Sequence, residues 1–306
     1  MKRIFLLILM SLLLVFGAQA EEKPTYRFTV EDDDLSVVQG LDDQWTNVLL
    51  LGLDNRLDEE NRGRADAIII CSIHKKTGQI RLTSTTRDLY VNIAGQKFSD
   101  KINAAFSYGG PNLMMKTVNE TYGLNIEDYV SINFYGMCDM VDAIGGVEVT
   151  LSRAERQEVN NSVLWGYGEE RGESLPLGTG EMTVTLKGAQ ALAFARIRNL
   201  DSDMGRNERQ RKVLTAIVRK AATLSMGELL SLAKTCFEYV ATNLSFTEMM
   251  SLGLSVLKGG MENIEQLSIP EPGTYRYVSI NEKTVVKYNE EAAKKRVHEF
   301  IYGTAE

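Results

Sequence analysis

Between Ala191 and Leu214 the chain reads ALAFARIRNLDSDMGRNERQRKVL, which gathers Arg196, Arg198, Arg206, Arg209 and Arg211 beside Asp201, Asp203, Glu208 and Gln210. A guanidinium is a planar fork of donors that binds phosphate oxygens in pairs, so spacing decides whether such a set can serve one anion. Arg196 and Arg198 are two apart, on opposed sides of a helix but on the same side of an extended segment. They share a target only if the helix expected over Leu186 to Ala195 has ended. Asp201-Ser202-Asp203 supplies N-cap chemistry for a second helix, Met204 to Lys220, which places Arg206 and Gln210 on one face. Gly205 in its first turn is expected to admit an anion to the orphan N–H groups there. Taken alone, a surface helix with scattered ion pairs explains the same residues equally well.

A second set of charges breaks that tie. Thr46 to Leu53, TNVLLLGL, is a short apolar run suited to a buried strand, and it stops at Asp54. The loop NRLDEENRGR leads to a second strand, ADAIIICSIH, and KKTG turns the chain into a third, QIRLTSTT. If these run up, down and up, Asp54, Arg64, Asp66, Arg87 and Asp88 meet at one edge of a sheet. Carboxylate oxygens hold a hard divalent cation, and guanidinium groups hold an anion beside it. Singly, each has an ordinary structural use: Asp54 and Asp88 as loop caps, Asp66 as a partner for Arg64, Arg87 as a strand-end charge. The set points to a cation beside a phosphate.

Composition narrows the field. The chain has 306 residues, 44% hydrophobic, with a net charge of -7, so a general nucleic-acid surface is excluded and the positive charge needs a local explanation. Met1 to Ala20 has Lys2 and Arg3 before an apolar run that ends in Ala18-Gln19-Ala20, the pattern of a secretory signal; an uncleaved membrane anchor fits the same run. Either way the remainder lies outside the cytoplasm, at the outer face of the membrane. Residues 21–43 read as an acidic linker and 44–306 as a single domain. Cys71, Cys138 and Cys236 have no metal or redox spacing, and with only His74 and His298 present neither a zinc site nor a Ser-His-Asp triad is supported. Buried free thiols are expected, although two of the three could pair outside the cytoplasm.

Further along, KINAAFSYGG leads into a helix through Tyr122, Asp128 to Phe134 alternates as a strand, Met137 to Ile144 reads as a short helix, and Val147 to Val149 as a strand. Ser152 to Thr183 reads as a glycine-rich excursion carrying Trp165 and Tyr167, and its GYGEERG is no nucleotide fingerprint. Helices are expected near 227–242 and 246–257, edge strands at 266–269 and 275–280, and a last helix from Thr284 to Tyr302. Strands alternating with helices make the fold class α/β, a sandwich built on a sheet.

The strings NVLLLGLDNR, GRADAIIICSI, TSTTRDLYV, KINAAFSYGG, VDAIGGVEV and ALAFARIRNLDSDMGRNERQRKV occur in this order from Asn47 to Val213. In them the chain resembles the LytR-CpsA-Psr proteins of bacterial cell envelopes. The resemblance implies a central mixed sheet with helices on both sides, enclosing a hydrophobic slot for a polyprenyl tail. It implies transfer of a glycan with its phosphate from a polyprenyl-pyrophosphate-linked glycopolymer, teichoic acid or capsule in type, to a peptidoglycan sugar hydroxyl. Carried over, Asp54 and Asp66 would hold Mg²⁺ or Mn²⁺, and Arg64, Arg87, Arg196, Arg198, Arg206 and Gln210 would clamp the pyrophosphate. Arg87, Arg198 and Asp66 are expected to act on the reacting group, with Asp88 and Asp203 in support, and either Asp66 or Asp88 could accept the hydroxyl proton. Two other readings keep the same residues: a pyrophosphatase with water as acceptor, and a non-catalytic envelope protein that binds polyprenyl phosphates.

Overall fold

Which strands pair with which decides whether the charges meet. The computed structural model describes residues 28–54, 63–166, 174–201, 203–221, 223–225, 228, 240–245, 248, 251–252 and 264–303. These divide into two compact units, one running over Phe134–Val240 and the other made of the stretches before and after it.

The larger unit is built on β1 (Trp45–Leu53), β2 (Ala65–His74) and β3 (Ile80–Thr85). β1 and β2 pair antiparallel, as do β2 and β3, which is the up, down and up order the sequence requires. Two short strands, β4 (Tyr90–Asn92) and β5 (Ser99–Lys101), form an antiparallel ribbon, and α1 (Ala104–Tyr122) follows. β6 (Asp128–Asn133) then lies parallel to β1. The last strands of the mixed six-stranded sheet are β9 (Val240–Thr242) and β10 (Ile264–Ile269), giving the order β10-β3-β2-β1-β6-β9. A hairpin, β11 (Tyr275–Ile280) and β12 (Lys283–Tyr288), and the helix α6 (Glu290–Tyr302) complete the unit.

Alternation along the strands explains the core. Leu49, Leu51, Ile68 and Ile70 share one face and bury against Leu113, Met114 and Val118 of α1 and Val297 and Ile301 of α6. Val48 and Ile69, on the opposite face, are buried too, so these strands are near-continuous apolar runs. Helix α1 is broken at Gly109 and Gly110, just before Pro111, whose ring cannot accept the ordinary helical approach. A Cβ at Gly109 would lie 2.6 Å from Leu113. The chain ahead of the sheet is laid along this helix: the Phe28 N–H donates to the Tyr108 carbonyl (2.9 Å), Asn112 to that of Val30 (2.9 Å) and Asn119 to that of Leu35 (2.8 Å), and Lys116 pairs with Asp34 at 2.6 Å.

The other unit holds α2 (Phe134–Ala143), β7 (Val147–Leu151), α3 (Arg153–Gly166), β8 (Met182–Leu186), α4 (Gly188–Arg196) and α5 (Asp203–Ala221). β7 and β8 pair antiparallel, and Val147, Leu151, Val159, Phe194 and Val213 lie in a core of their own. The buried guanidinium of Arg156 donates to the carbonyls of Leu151, Pro176 (2.8 Å), Leu177 (2.8 Å) and Gly180 (3.1 Å), which fixes the segment entering β8.

Three expectations are corrected. Ser152 to Thr183 is no plain loop, since it contains α3 and the start of β8. The helix is announced by a capping box: the Ser152 N–H donates to the Glu155 carboxylate (2.9 Å) and the Glu155 N–H to Ser152 Oγ (3.3 Å). The last helix begins at Glu290, because the β-branched pair Val285 and Val286 sits in β12 and Asn289 accepts the N–H of Ala292 (3.0 Å) as N-cap. Residues 240–242, expected at the end of a helix, form strand β9; most of 227–242 and 246–257 lies outside the described residues, as do Met1 to Ala20, Tyr167 and the side chain of Trp165.

Candidate functional site

At the ends of β1 and β3 a cavity of about 300 Å³ is lined by Asp54, Gly63, Arg64, Asp66, Arg87, Asp88, Lys101 and Asn103. The five charged residues that the sequence places at one sheet edge are therefore brought together. Local pairing explains how. The Asp54 N–H donates to the Arg64 carbonyl (3.0 Å), closing the loop between β1 and β2 at its base. Gly52 lies opposite Ala67, where an added Cβ would approach the alanine methyl to 3.0 Å, and the pairing shifts at Leu53. Such an irregularity turns the strand end and re-aims the residue that follows.

Residues 86–89 are pinned on several sides. The Thr86 N–H donates to the Ile269 carbonyl (3.0 Å), Val286 donates to that of Asp88 (2.8 Å), Ile102 to that of Leu89 (2.8 Å), and Asn103 to that of Arg87 (3.3 Å). From this frame the Arg87 guanidinium reaches the Asp66 carboxylate at 2.6 Å and stands 3.8 Å from Asp88. Lys101 Nζ lies 2.7 Å from Asp88. These side chains are mostly shielded, so their charges are screened less than those of a surface pair. Asp54 and Arg64 are exposed at the mouth.

Asn103 precedes the first helical residue of α1 but makes no cap with its side chain, and its Oδ1 is buried with no hydrogen-bond partner among the described residues. An orphaned carbonyl oxygen beside Asp54 and Asp66 suits a hard cation, whose ligands are oxygens. Among the described residues no group of three or more His, Cys, Asp or Glu side chains gathers to hold a metal ion. A divalent cation here would rest on two carboxylates, with bound anion and water completing its shell. Neither Lys101 nor Asn103 is assigned a site role by the sequence reading, although both stand in the string KINAAFSYGG. The signal was a lysine and an asparagine two apart, leaving a short strand just before a helix.

The remaining predicted residues lie in the unit 134–240. Gly188 is required at the start of α4, since a Cβ there would lie 2.3 Å from the Cys138 carbonyl oxygen of α2, and its N–H donates to Asp142 (2.9 Å). The helix ends at Arg196, whose guanidinium stacks 4.4 Å over the Phe134 ring. Ile197 is extended and buried, and Arg198 is exposed beyond it. Arg209 of α5 ties this arm down: it donates to the Ile197 carbonyl (3.2 Å) and to Asp201, and pairs with Glu155 at 3.0 Å. Burial works against ionisation of Glu155, but the Ser152 N–H and the Arg209 guanidinium outweigh it and hold its carboxyl below the usual glutamate range. Arg206 is almost wholly buried and Gln210 half-buried on α5; Asp203 is the first residue of that helix, and its side chain lies outside the described residues.

The reading of Gly205 as an anion's approach is corrected. A Cβ there would collide with the Asp201 carboxylate at 2.2 Å, so the glycine makes room for Asp201. Cys71 and Cys138 are free thiols, each pushed up to about 12 by burial, and Cys236 lies outside the described residues.

A mixed six-stranded sheet with flanking helices and a pocket of carboxylates and cations at its strand ends defines an α/β protein with a charged site. The model of the LytR_cpsA_psr family matches residues 13–298, and the chain belongs to that family. It is 36% identical over 231 residues to the polyisoprenyl-teichoic acid–peptidoglycan teichoic acid transferase TagU of Halalkalibacterium halodurans, a match covering 74% of this chain and 70% of the relative. The structure of TagT bound to LIIa-WTA is similar with a TM-score of 0.68 and 28% identity, over 87% of this chain and 95% of that one. A structure of the family protein YwtF (TagT) with bound octaprenyl pyrophosphate lipid gives a TM-score of 0.64 at 26% identity, over 87% and 95%.

Proposed function

We propose that this chain transfers a glycan with its phosphate from a polyprenyl-pyrophosphate-linked glycopolymer to a sugar hydroxyl of peptidoglycan, at the outer face of the cell membrane. The observation that carries the reading is the cavity in which the Arg87 guanidinium is oriented by Asp66 at 2.6 Å beside Asp54, Arg64 and Lys101. The names of the relatives, teichoic acid transferases and a protein holding a polyprenyl diphosphate, support the same substrate class. In this reading Arg64 and Arg87 meet the diphosphate, Arg196, Arg198, Arg206 and Gln210 are further phosphate-binding candidates, and apolar residues of the fold take the polyprenyl tail.

Phosphoryl-type transfer asks a protein for position and charge stabilisation more than for covalent help. The sugar hydroxyl oxygen bonds to the phosphorus bearing the glycan, the bond from that phosphorus to the bridging oxygen breaks, and polyprenyl phosphate leaves. Arg87 meets the charge that grows on the phosphoryl oxygens, and its pairing with Asp66 removes the freedom it would otherwise lose on binding. Mg²⁺ or Mn²⁺, held by Asp54 and Asp66 with Asn103 Oδ1 within the same cavity, would add charge neutralisation when bound. In this reading either Asp66 or Asp88, both shielded carboxylates, takes the hydroxyl proton.

The test is product analysis with the lipid-linked donor in the presence and absence of peptidoglycan fragments. Glycan attached to the fragments is the expected result. Release of glycan phosphate whether or not fragments are present would instead assign a pyrophosphatase, and bound, uncleaved lipid a non-catalytic binder. Arg87→Ala is expected to lower transfer by about two to three orders of magnitude, the effect of removing one preorganised charge-stabilising donor.

A further inference from the structure

Lys101 stands inside the cavity without an assigned task. It closes the β4–β5 ribbon opposite Tyr90, and its neighbour Asp100, on the other side of the ribbon, is fastened by its own hydrogen bond from Tyr108 (2.8 Å) and its pairing with Lys283 (3.2 Å). The ribbon is thus held from behind while Lys101 projects to the cavity side, where its ammonium pairs with Asp88 at 2.7 Å. An ammonium carries three hydrogens, and one acceptor accounts for one of them. The described residues supply no second acceptor, so the inward ammonium retains donors. The charges lining the cavity also balance: Asp54, Asp66 and Asp88 face Arg64, Arg87 and Lys101. A diphosphate entering that set needs every available cation, and Lys101 is the one that is not a guanidinium.

The difference in shape has a use. A guanidinium fork fixes the direction of its bonds, whereas an ammonium on a flexible stem is a point charge that can follow an oxygen as it moves. Oxygens on a phosphorus under in-line attack do move, from a tetrahedral to a flattened arrangement. We infer that Lys101 is a further phosphate-contacting residue, bound to a non-bridging oxygen of the diphosphate and shared with Asp88 in the resting state. The inference rests on the functional reading above. Asp88 in this arrangement competes with the ligand for Lys101, which gives the two residues opposite effects on affinity.

The experiment uses the whole chain in detergent with farnesyl pyrophosphate as probe, followed by calorimetry, with circular dichroism melts to confirm that each variant folds. Lys101→Met is expected to weaken binding about tenfold, the size of one charge-assisted contact. Lys101→Arg should stay within about threefold of the wild type because the charge is kept, and Asp88→Asn, which releases the ammonium from its competitor, should raise affinity. If Lys101 only holds Asp88 in place, Lys101→Met and Asp88→Asn weaken binding together and the inference is overturned. Lys101→Gln gives the same comparison should the methionine variant not fold. Undiminished binding by both neutral variants overturns the inference alone, whereas a wild-type chain that binds no diphosphate overturns the functional reading and this inference with it.

Discussion

Replacing Arg209 by methionine isolates the contact that holds the Arg196 to Asp201 arm. Methionine keeps most of the apolar stem and removes the guanidinium. The Ile197 carbonyl, in a residue 4% exposed, loses its partner, and a buried acceptor left bare costs about 1 to 2 kcal/mol. Glu155, with a side chain 14% exposed, keeps its bonds to Ser152 but gives up a short charge-assisted contact worth about 1.5 to 2 kcal/mol. Asp201 is 42% exposed, so solvent screening leaves its share at roughly 0.5 kcal/mol or less. The loss expected is about 3 to 4 kcal/mol, a large fraction of a typical domain's stability. Urea unfolding of the two forms measures it, and amide exchange across 198–201 should accelerate in the variant. Adding Glu155→Gln should then cost little more, because the two changes remove one interaction, and the cycle should give about 1 kcal/mol or more of coupling. A destabilisation below about 1 kcal/mol, or strictly additive effects, would refute the claim that Arg209 fixes the arm.

Other expectations can be checked directly. Asp54→Asn should move the Mg²⁺ titration of transfer to higher concentration by about tenfold or more, since one carboxylate ligand becomes a neutral oxygen; an unchanged titration removes Asp54 from the cation site. Asp100 is held below the usual aspartate range because hydrogen bonds from the Lys101 N–H and Tyr108 and the charge of Lys283 outweigh its burial. A depressed carboxyl stabilises the fold above its unfolded pKa and loses that contribution as pH falls through the folded value, so Asp100→Asn should destabilise at neutral pH and converge on the wild type below about pH 4. Melting curves from pH 7 to 3 show whether the two forms converge. Asn289→Ala removes the cap of α6 and should cost about 1 kcal/mol in urea unfolding, with Asn289→Asp close to wild type.

The strands of the central sheet were readable because each buries apolar residues on both faces, so Thr46 to Leu53 and Ala65 to His74 stand out as runs with little ambiguity. The meeting of Asp54, Asp66 and Arg87 followed from direction alone: antiparallel neighbours bring one strand's end beside the next one's start. Lys101 and Asn103 escaped because β5 is three residues long, too short for any period to show, and the place of its end is set by hydrogen bonds from Ile102 and Asn103 to Leu89 and Arg87. The helix after Ser152 was hidden by an unusually polar composition, although the Ser152 and Glu155 spacing announced it. Gly205 misled because permissive backbone and crowded backbone leave the same residue in a sequence. Only the neighbouring carboxylate tells them apart.

The laying of residues 28–35 along α1 brings the amino-terminal end of the described chain near the cavity. Phe28 is moored at Tyr108, next to the break in the helix and five positions after Asn103, which is about 8 Å of helix rise. Were a leader kept in a bilayer, only the stretch 21–27 would separate it from this mooring, and the cavity would stay within reach of the lipid headgroups. A diphosphate whose isoprenoid stays dissolved in the membrane could then reach Arg87 without being drawn far into water.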